Sequence, residues 1–268
     1  MLEGIEARVD GDKTDKYSVK AVERSYEILD LFARSDEPLS LQVVCRELEL
    51  NANMAFRMLA TMTRSGYIEK DEKTGLFSVS LKFLPLSRRA LMSLEIRRVV
   101  MPYLEMLRQR YPNANFNLAV FYQGDIIVVD RVDSINLPRT YFAPGKGLPF
   151  HATGLGKTLT SELTETELDA LIEKKGLKAY TPQTIVDPDE LKAELARVRR
   201  DHVSRDRAEF IPKDNCNAVP IRDASGSIVA AISLSAFENY MPIEEVEATM
   251  PVLAETGRNI SYYMGYNA

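Results

Sequence analysis

Cysteine and histidine are scarce: two of each in 268 residues. Cys45 and Cys216 stand far apart, so they give neither a disulfide framework nor a zinc pattern. His151 and His202 are too few for a multi-histidine metal site, and no metal or cofactor is expected. Long apolar runs are missing as well. No stretch reaches the roughly 18 apolar residues that a membrane-spanning helix needs. The N-terminus carries Glu3, Glu6, Asp10 and Asp12 in place of the apolar core of a signal peptide. These absences predict a cytoplasmic protein with no membrane partner. A basic surplus is absent too. The formal net charge of -5 excludes a surface coated in positive charge, but a local basic patch can still bind nucleic acid.

What is present is ordinary globular composition, 45% hydrophobic and 27% charged, in a chain long enough for two domains. Residues 1–16 read as a disordered polar tail. Val19, Val22, Tyr26, Leu29 and Phe32 share one face of a first helix that ends near Ser35-Asp36-Glu37-Pro38. Ser40 caps a second helix, with Leu41, Val44, Cys45 and Leu48 facing inward. Cys45 reads there as a small core residue.

The stretch Leu50–Val79 organises the N-terminal half. Ala55, Met58, Leu59 and Met62 follow the i, i+3, i+4, i+7 spacing of a buried helical stripe. The opposite face carries Asn53, Arg57, Ala60 and Arg64. Gly66 stands where the helix needs a residue tolerant of positive φ. Tyr67–Lys70 and Leu76–Val79 then read as strands around the turn Asp71–Gly75. Helix, stop and hairpin make the second half of a winged helix-turn-helix, whose polar Arg-bearing helix suits the major groove. The competing reading is an amphipathic helix with a plain solvated face. Between Lys20 and Arg89 there are 11 Lys/Arg and 10 Asp/Glu, so DNA contact must come from where charge sits. Asn53, Phe56, Arg57, Arg64, Lys70 and Lys73 are the candidate contacts to double-stranded DNA.

Residues 17–82 resemble the DNA-binding domain of the IclR family of bacterial transcriptional regulators. The family helix opens like Pro-Lys-Ser-Thr-Val-His-Arg-Leu-Leu; the matching residues here are Asn51-Ala52-Asn53-Met54-Ala55-Phe56-Arg57-Met58-Leu59. Arg57 is kept, while the usual Lys, Ser, Thr and His are replaced, so the operator sequence does not carry over. Pro85 and Leu86–Glu95 are expected to form a linker helix, within a linker spanning 83–96, that packs against a partner subunit. Ile96–Tyr111 is a longer helix with Val99, Val100, Tyr103, Leu104 and Leu107 inward, and Pro102 is a possible kink or restart point.

Beyond it the periodicity changes. Asn117–Tyr122, the turn Gln123-Gly124-Asp125 and Ile126–Arg131 read as a hairpin, and Arg139–Phe142 as a third strand. His151–Leu163 reads as a helix. Thr164-Glu165-Thr166-Glu167 is a capping box, and Asp187-Pro188-Asp189-Glu190 opens another helix with Pro at its first position. Two strands flank Asp223–Gly226, and Ile243–Met264 is the final helix. The whole is an α+β chain whose second domain, 97–268, is built on an antiparallel sheet with flanking helices.

Leu148-Pro149-Phe150-His151-Ala152-Thr153-Gly154-Leu155-Gly156-Lys157 is close to the IclR pattern Leu-Pro-Leu-His-Ala-Thr-Ala-Leu-Gly-Lys. Asn117–Val120, Val129–Val132, Asp206, Cys216, Val219–Ile221 and Ala230–Ser235 also match. The resemblance covers about residues 17–265 and implies a GAF-like effector domain, self-association as a dimer or tetramer, and a pseudo-palindromic operator.

Two stretches invite a catalytic reading. Gly154-Leu155-Gly156-Lys157-Thr158 resembles the end of a P-loop, but the first Gly of that motif falls on His151. Cys216 with His151 or His202 could pair nucleophile and base, yet no third orienting group is evident. His151 reads as a structural residue at a helix start, and Lys157 as structural or solvent-facing. An enzyme using Cys216 and a DNA-binding structural protein with an unliganded second domain are the rival functions; turnover and ligand-dependent DNA affinity discriminate them.

A binding pocket fits better than an active site. A symmetric turn at Asp223–Gly226 would set Cys216 opposite Ser233 and Ala218 opposite Ala231. Ser233 and Ser235 share a face with Cys216 by the period of two. Buried hydroxyls need partners, either backbone groups or a polar ligand. The resemblance implies that Gly154, Leu155, Asp206, Cys216, Ser233 and Ser235 contact a small carboxylate effector. At Lys213-Asp214-Asn215 the chain departs from the family's usual Gly-Val-Arg.

Overall fold

The structure is a computed structural model that describes residues 18–136 and 142–267. The chain divides into two compact units between Ala90 and Leu91. The polar tail 1–16 lies outside the described residues, as does all of the strand expected at Arg139–Phe142 except Phe142, which is not in a strand. No helix among the described residues is long and apolar enough to cross a membrane.

In the first unit, α1 (Lys20–Arg34), α2 (Leu41–Glu47) and α3 (Ala52–Arg64) pack around Ile28, Phe32, Val44, Ala55, Leu59 and Met62. Each of the last two helices starts on a side-chain cap: Ser40 accepts from Val43 N–H and Asn51 accepts from Met54 N–H. These caps satisfy backbone donors that a helix start leaves free. The expected inward face of α1 is correct only in its C-terminal half. Val19, Val22 and Tyr26 are exposed, because the small bundle reaches only the last turns of that helix, where Ile28 and Phe32 are buried. Cys45 is half-buried against the same core. The wing is β1 (Ile68–Lys70) paired with β2 (Phe77–Val79), and Leu39 adds a two-bond bridge to Phe77. Gly66 has φ +77°, as the stop of α3 requires, and the Lys82 side chain packs against it.

A 3-10 turn (Leu81–Phe83) leads into α4 (Leu84–Met92) and then α5 (Glu95–Arg110). The linker helix therefore starts two residues earlier than Leu86 and stops before Glu95, which opens α5. Pro102 neither breaks nor restarts α5; the helix runs on through it.

The second unit is built on a six-stranded sheet in the order β5-β4-β3-β8-β7-β6. The strands are β3 (Asn115–Tyr122), β4 (Asp125–Val132), β5 (Gly147–Leu148), β6 (Ser204–Arg207), β7 (Asp214–Arg222) and β8 (Ile228–Phe237), all paired antiparallel. The β3–β4 turn is two residues, Gln123 and Gly124, both with positive φ, as tight hairpins favour. Apolar residues alternate between two cores. Phe116, Leu118, Val219, Ile221, Ile232 and Leu234 face α5, α9 (Ile243–Ala248) and α10 (Met250–Tyr263). Ala119, Ile126, Val128, Ala218 and Ala231 face α6 (Gly154–Thr160), α7 (Glu165–Lys175) and α8 (Pro188–Asp201). The expected final helix is thus two helices that meet at Thr249, with Pro251 in the first turn of the second, where its missing N–H leaves no intrahelical bond unmade. The helix expected over His151–Leu163 is shorter at both ends, since Thr153 caps it by accepting from Gly156 N–H. The capping box at Thr164–Glu167 and the Asp187 cap with Pro188 behind it are both present.

The register of the last hairpin differs from the symmetric expectation. Cys216 pairs with Ser235 and Ala218 with Ser233, an offset of two residues: one comes from the β-bulge at Ile221/Arg222 and one from a turn closed by Asp223 N–H on Ser227 O rather than centred on Asp223–Gly226. An offset of two keeps every side chain on its face. Strand β6 carries no apolar alternation (Ser-Arg-Asp-Arg), which is why the sequence gives no sign of it.

α6 lies close to the chain before it. A Cβ at Gly156 would stand 2.5 Å from Phe150 O and 2.6 Å from Pro149 O. Gly156→Ala is expected to lower stability by about 1–3 kcal/mol, the usual cost of overpacking, read as a fall in the denaturant midpoint without a change in slope.

Candidate functional sites: a nucleic-acid interface and a buried polar face

On the first unit, Asn53, Phe56, Arg57 and Arg64 are all exposed on α3. Arg57 and Arg64 form no ion pair among the described residues, so their guanidinium groups face solvent uncommitted. The Lys70 ammonium is 3.8 Å from Glu72, a weak exposed pair. Asp71 closes the wing: its carboxylate accepts from Lys73 N–H (2.7 Å) and Thr74 N–H (3.2 Å). Those backbone donors, Lys73 first, hold its carboxyl below the usual range and fix Lys73 in the turn. Sequence reasoning missed Lys82. Its ammonium donates to Ser65 O at 2.7 Å and lies 4.4 Å over the Tyr67 ring, while Ser80 Oγ donates to Gly66 O at 2.5 Å. A cation at the C-terminal carbonyls of α3 complements the helix dipole, and the pair of contacts pins the wing to the recognition helix. A groove of about 870 Å³ between α1 and α3 is lined by Lys20, Arg24, Asn53 and Arg57 over apolar Leu50 and Met58.

On the second unit the sheet face toward α6 is polar in two rows. Across one row run Asp206, Cys216, Ser235 and Asn115; across the next run Ser204, Ala218, Ser233, Asn117 and Arg131. Gly154 lies directly over them: a Cβ there would be 3.2 Å from Ala218 Cβ, 3.3 Å from Cys216 Sγ and 3.4 Å from Ser204 Oγ. The fold therefore brings Gly154, Asp206, Cys216, Ser233 and Ser235 together. Leu155 follows Gly154 on α6, and its side chain belongs to the apolar core on this side of the sheet. Neither serine bonds to backbone. Ser233 Oγ accepts from Asn117 Nδ2 at 3.3 Å, and Ser235 Oγ has no partner.

Lys157 is neither solvent-facing nor a phosphate ligand. It is fully buried, and its ammonium donates to Glu209 (2.6 and 2.7 Å) and Arg205 O (2.7 Å). Burial pushes the Glu209 carboxyl up despite that cation. Glu194 is also half-buried, but Arg197 and Lys157 outweigh burial and hold it low. Burial raises Asp206 well above the carboxylate range, opposed by the Glu209 N–H it accepts from at 2.7 Å. Asp214, two residues before Cys216 on the same face, is raised to about 7 by burial alone.

These charges remove the nucleophile reading. Burial, then Asp206 and Asp214, push the Cys216 thiol well up, so it stays protonated. His151 donates from Nε2 to Lys178 O at 3.0 Å, and burial lowers its pKa. It precedes α6 rather than starting it. His202 is exposed at the C-cap of α8 with φ +56°. Asn115, Asn117, Ser204, Asp214 and Glu209 were all missed. The period of two from Ala119 and Cys216 would have marked Asn115, Asn117 and Asp214; Ser204 needed strand β6, and Glu209 the tertiary fold.

A winged helix with an exposed Arg-bearing helix, followed by a sheet with a buried polar face, defines a two-part DNA-binding regulator. Family profiles described as the IclR helix-turn-helix domain and the bacterial transcriptional regulator IclR C-terminal domain match residues 21–72 and 88–262. The chain belongs to the IclR family of bacterial transcriptional regulators. It is 26% identical over 250 residues to the HTH-type transcriptional regulator XynR of Escherichia coli K12, covering 93% of this chain and 99% of that protein. The HTH-type transcriptional repressor AllR of the same strain is 26% identical over 249 residues, covering 93% and 92%. An IclR homologue from Microbacterium hydrocarbonoxydans, solved in complex with 4-hydroxybenzoate, shares the fold with TM-score 0.72 at 23% identity, over 91% of this chain and 98% of that one. The relatives are named as regulators and repressors; this chain is a regulator and not an enzyme.

Asp214 gives a pH signature. A carboxyl raised in the folded state costs stability as pH climbs from the ordinary carboxylate value to about 7. Asp214→Asn removes that cost. Its stability gain over the parent should grow between about pH 4 and 7 and level off above, at no more than roughly 4 kcal/mol. Urea unfolding at three pH values checks it; a gain that falls with pH would contradict the assignment.

Proposed function

We propose that the chain is an effector-responsive transcription factor. It binds a pseudo-palindromic operator as a dimer or tetramer in the cytoplasm. A small organic or aromatic acid, bound at the polar face of the second unit, changes its operator affinity. The observation that carries the effector reading is the meeting of Gly154, Asp206, Cys216, Ser233 and Ser235 on one buried sheet face. A family member crystallised with 4-hydroxybenzoate supports an acid as ligand. Exposed Leu84, Leu86 and Met92 on α4 support self-association, since apolar side chains along a helix with no core of its own favour a partner.

Arg57 is the lead DNA contact, with Arg64, Lys70 and Lys73 on backbone and wing, and Asn53 and Phe56 at the groove. Arg57→Ala should weaken operator binding. If it reads a guanine edge, the loss is roughly 1–3 kcal/mol at one base position. If it holds phosphate, the loss is even across sequences and the salt slope falls by about one. Fluorescence anisotropy on an operator panel decides, and unchanged affinity on every DNA removes Arg57 from the interface.

A thermal-shift screen of small acids tests the sensor. A ligand at about 100 times its dissociation constant adds roughly 2.7 kcal/mol to stability. Ser233→Ala and Ser235→Ala should fold and bind operator, but weaken a hit by about 0.5–1.5 kcal/mol each. Asp206→Asn should change ligand preference. Hits that leave DNA affinity unchanged would favour the rival reading of a structural DNA-binding protein.

A further inference from the structure

Four buried polar atoms on the α6-facing side of the sheet have no hydrogen-bond partner. They are Nδ2 of Asn115, Oδ1 of Asn117, Oδ1 of Asp214 and Oγ of Ser235. All four residues are almost fully buried, Asp214 the most accessible at 3%. Asn115 pairs with Ser235, Asn117 with Ser233, and Asp214 precedes Cys216 by two residues, so one face holds them all. Native interiors seldom leave such atoms unsatisfied. Their chemistry is mixed: the Asn115 amide nitrogen only donates, the Asn117 and Asp214 oxygens accept, and the Ser235 hydroxyl does either. A ligand hydroxyl also does either, and several hydroxyls would meet the set.

Among the described residues, the cations beside this face are engaged by carboxylates, Lys157 of α6 with Glu209 and Arg131 with Asp133. Burial raises Asp206 and Asp214, which act on one another and on Cys216, so neither carries a full negative charge near neutral pH. A ligand hydroxyl can donate to such a carboxyl oxygen or accept its proton. No hydrogen bond offsets burial at Asp214; its carboxyl has capacity to spare.

We infer that Asp214 sets effector specificity by accepting a hydrogen bond from an effector hydroxyl, so that the ligand class is a short hydroxylated or polyhydroxylated acid. This rests on the reading of the polar face as the effector site.

The test is calorimetric titration of the full-length protein with gluconate and threonate against hexanoate and butanoate, the unsubstituted acids of equal chain length. In the parent, at least one hydroxylated acid should bind tenfold or more tightly than its unsubstituted partner. Asp214→Ala should reduce that ratio below threefold, and Asp214→Asn, which keeps one acceptor oxygen, should fall between. Ser235→Ala should weaken every acid that binds. Equal affinity for both members of each pair, with Ser235→Ala still weakening both, would overturn the role of Asp214 and leave the site in place. A preference that survives Asp214→Ala in a protein with a cooperative thermal melt would do the same. Binding untouched by Ser235→Ala, or no binding of any acid, would overturn the site along with the inference.

Discussion

The buried Lys157 ammonium holds the second unit's polar face in place. It reaches from α6 to Glu209 and Arg205 O, and so ties a seven-residue helix to the edge strand β6. A helix that short has little stability of its own. What fixes it is this ion pair, the Thr153 cap and the backbone contact at Gly156. An ammonium with all its donors used repays much of its desolvation; breaking one side would leave a bare buried charge, which costs several kcal/mol. With α6 so held, Gly154 lies against Cys216 and Ala218, and the two polar rows are roofed by backbone. Thr158 and Ser204 repeat the tie with a 2.7 Å hydroxyl contact, and Ser204 Oγ donates on to Gly154 O.

What the sequence made legible was mostly what local chemistry dictates. Caps at Ser40, Thr164 and Asp187, the stop at Gly66 and the hairpin at Gln123-Gly124 depend on a few adjacent residues, and they stand where their chemistry puts them. The second-unit cluster was legible in part. Cys216, Ser233 and Ser235 share a face by parity alone, which survives a register offset of two. Their partners across the sheet were not legible, because pairing β3 with β8 joins segments more than a hundred residues apart. Strand β6 was invisible for a different reason. Its four residues are polar, and only pairing with β7 makes Ser204 and Asp206 buried. Likewise α1 looked inward along its whole length, since periodicity reports that a face is apolar and not how far a neighbour covers it.

The two faces of the central sheet show how a fully covered sheet can still carry polar groups. Toward α9, Asn217 Nδ2 donates to Val246 O at 2.6 Å and reaches Thr249 Oγ1 at 3.4 Å; that asparagine is spent on structure. Toward α6, Asn115, Asn117 and Ser235 each keep an atom unmatched. The same residue type is a fastener on one side and an open contact on the other. The difference lies in the covering layer: α9 and α10 offer carbonyls and hydroxyls to the middle of the sheet, while α6 gives its hydroxyl and carbonyl to Ser204 at the edge strand and meets Cys216 and Ala218 with glycine.

A sensor must convert binding into a change at α3, and α4 is the covalent route between the units. Differential binding is required: an effector with equal affinity for both arrangements of the DNA-binding helices shifts nothing, however tightly it holds. A coupling of roughly 1–3 kcal/mol is typical, comparable to a few hydrogen bonds at the polar rows. The near-neutral first unit makes such a modest coupling sufficient. All 11 Lys/Arg between Lys20 and Arg89 are exposed and are nearly balanced by 10 Asp/Glu, so under the proposed reading operator affinity would depend on how well the side chains of α3 and the wing reach the DNA. A small change in the spacing of two such units would then be felt at every contact at once.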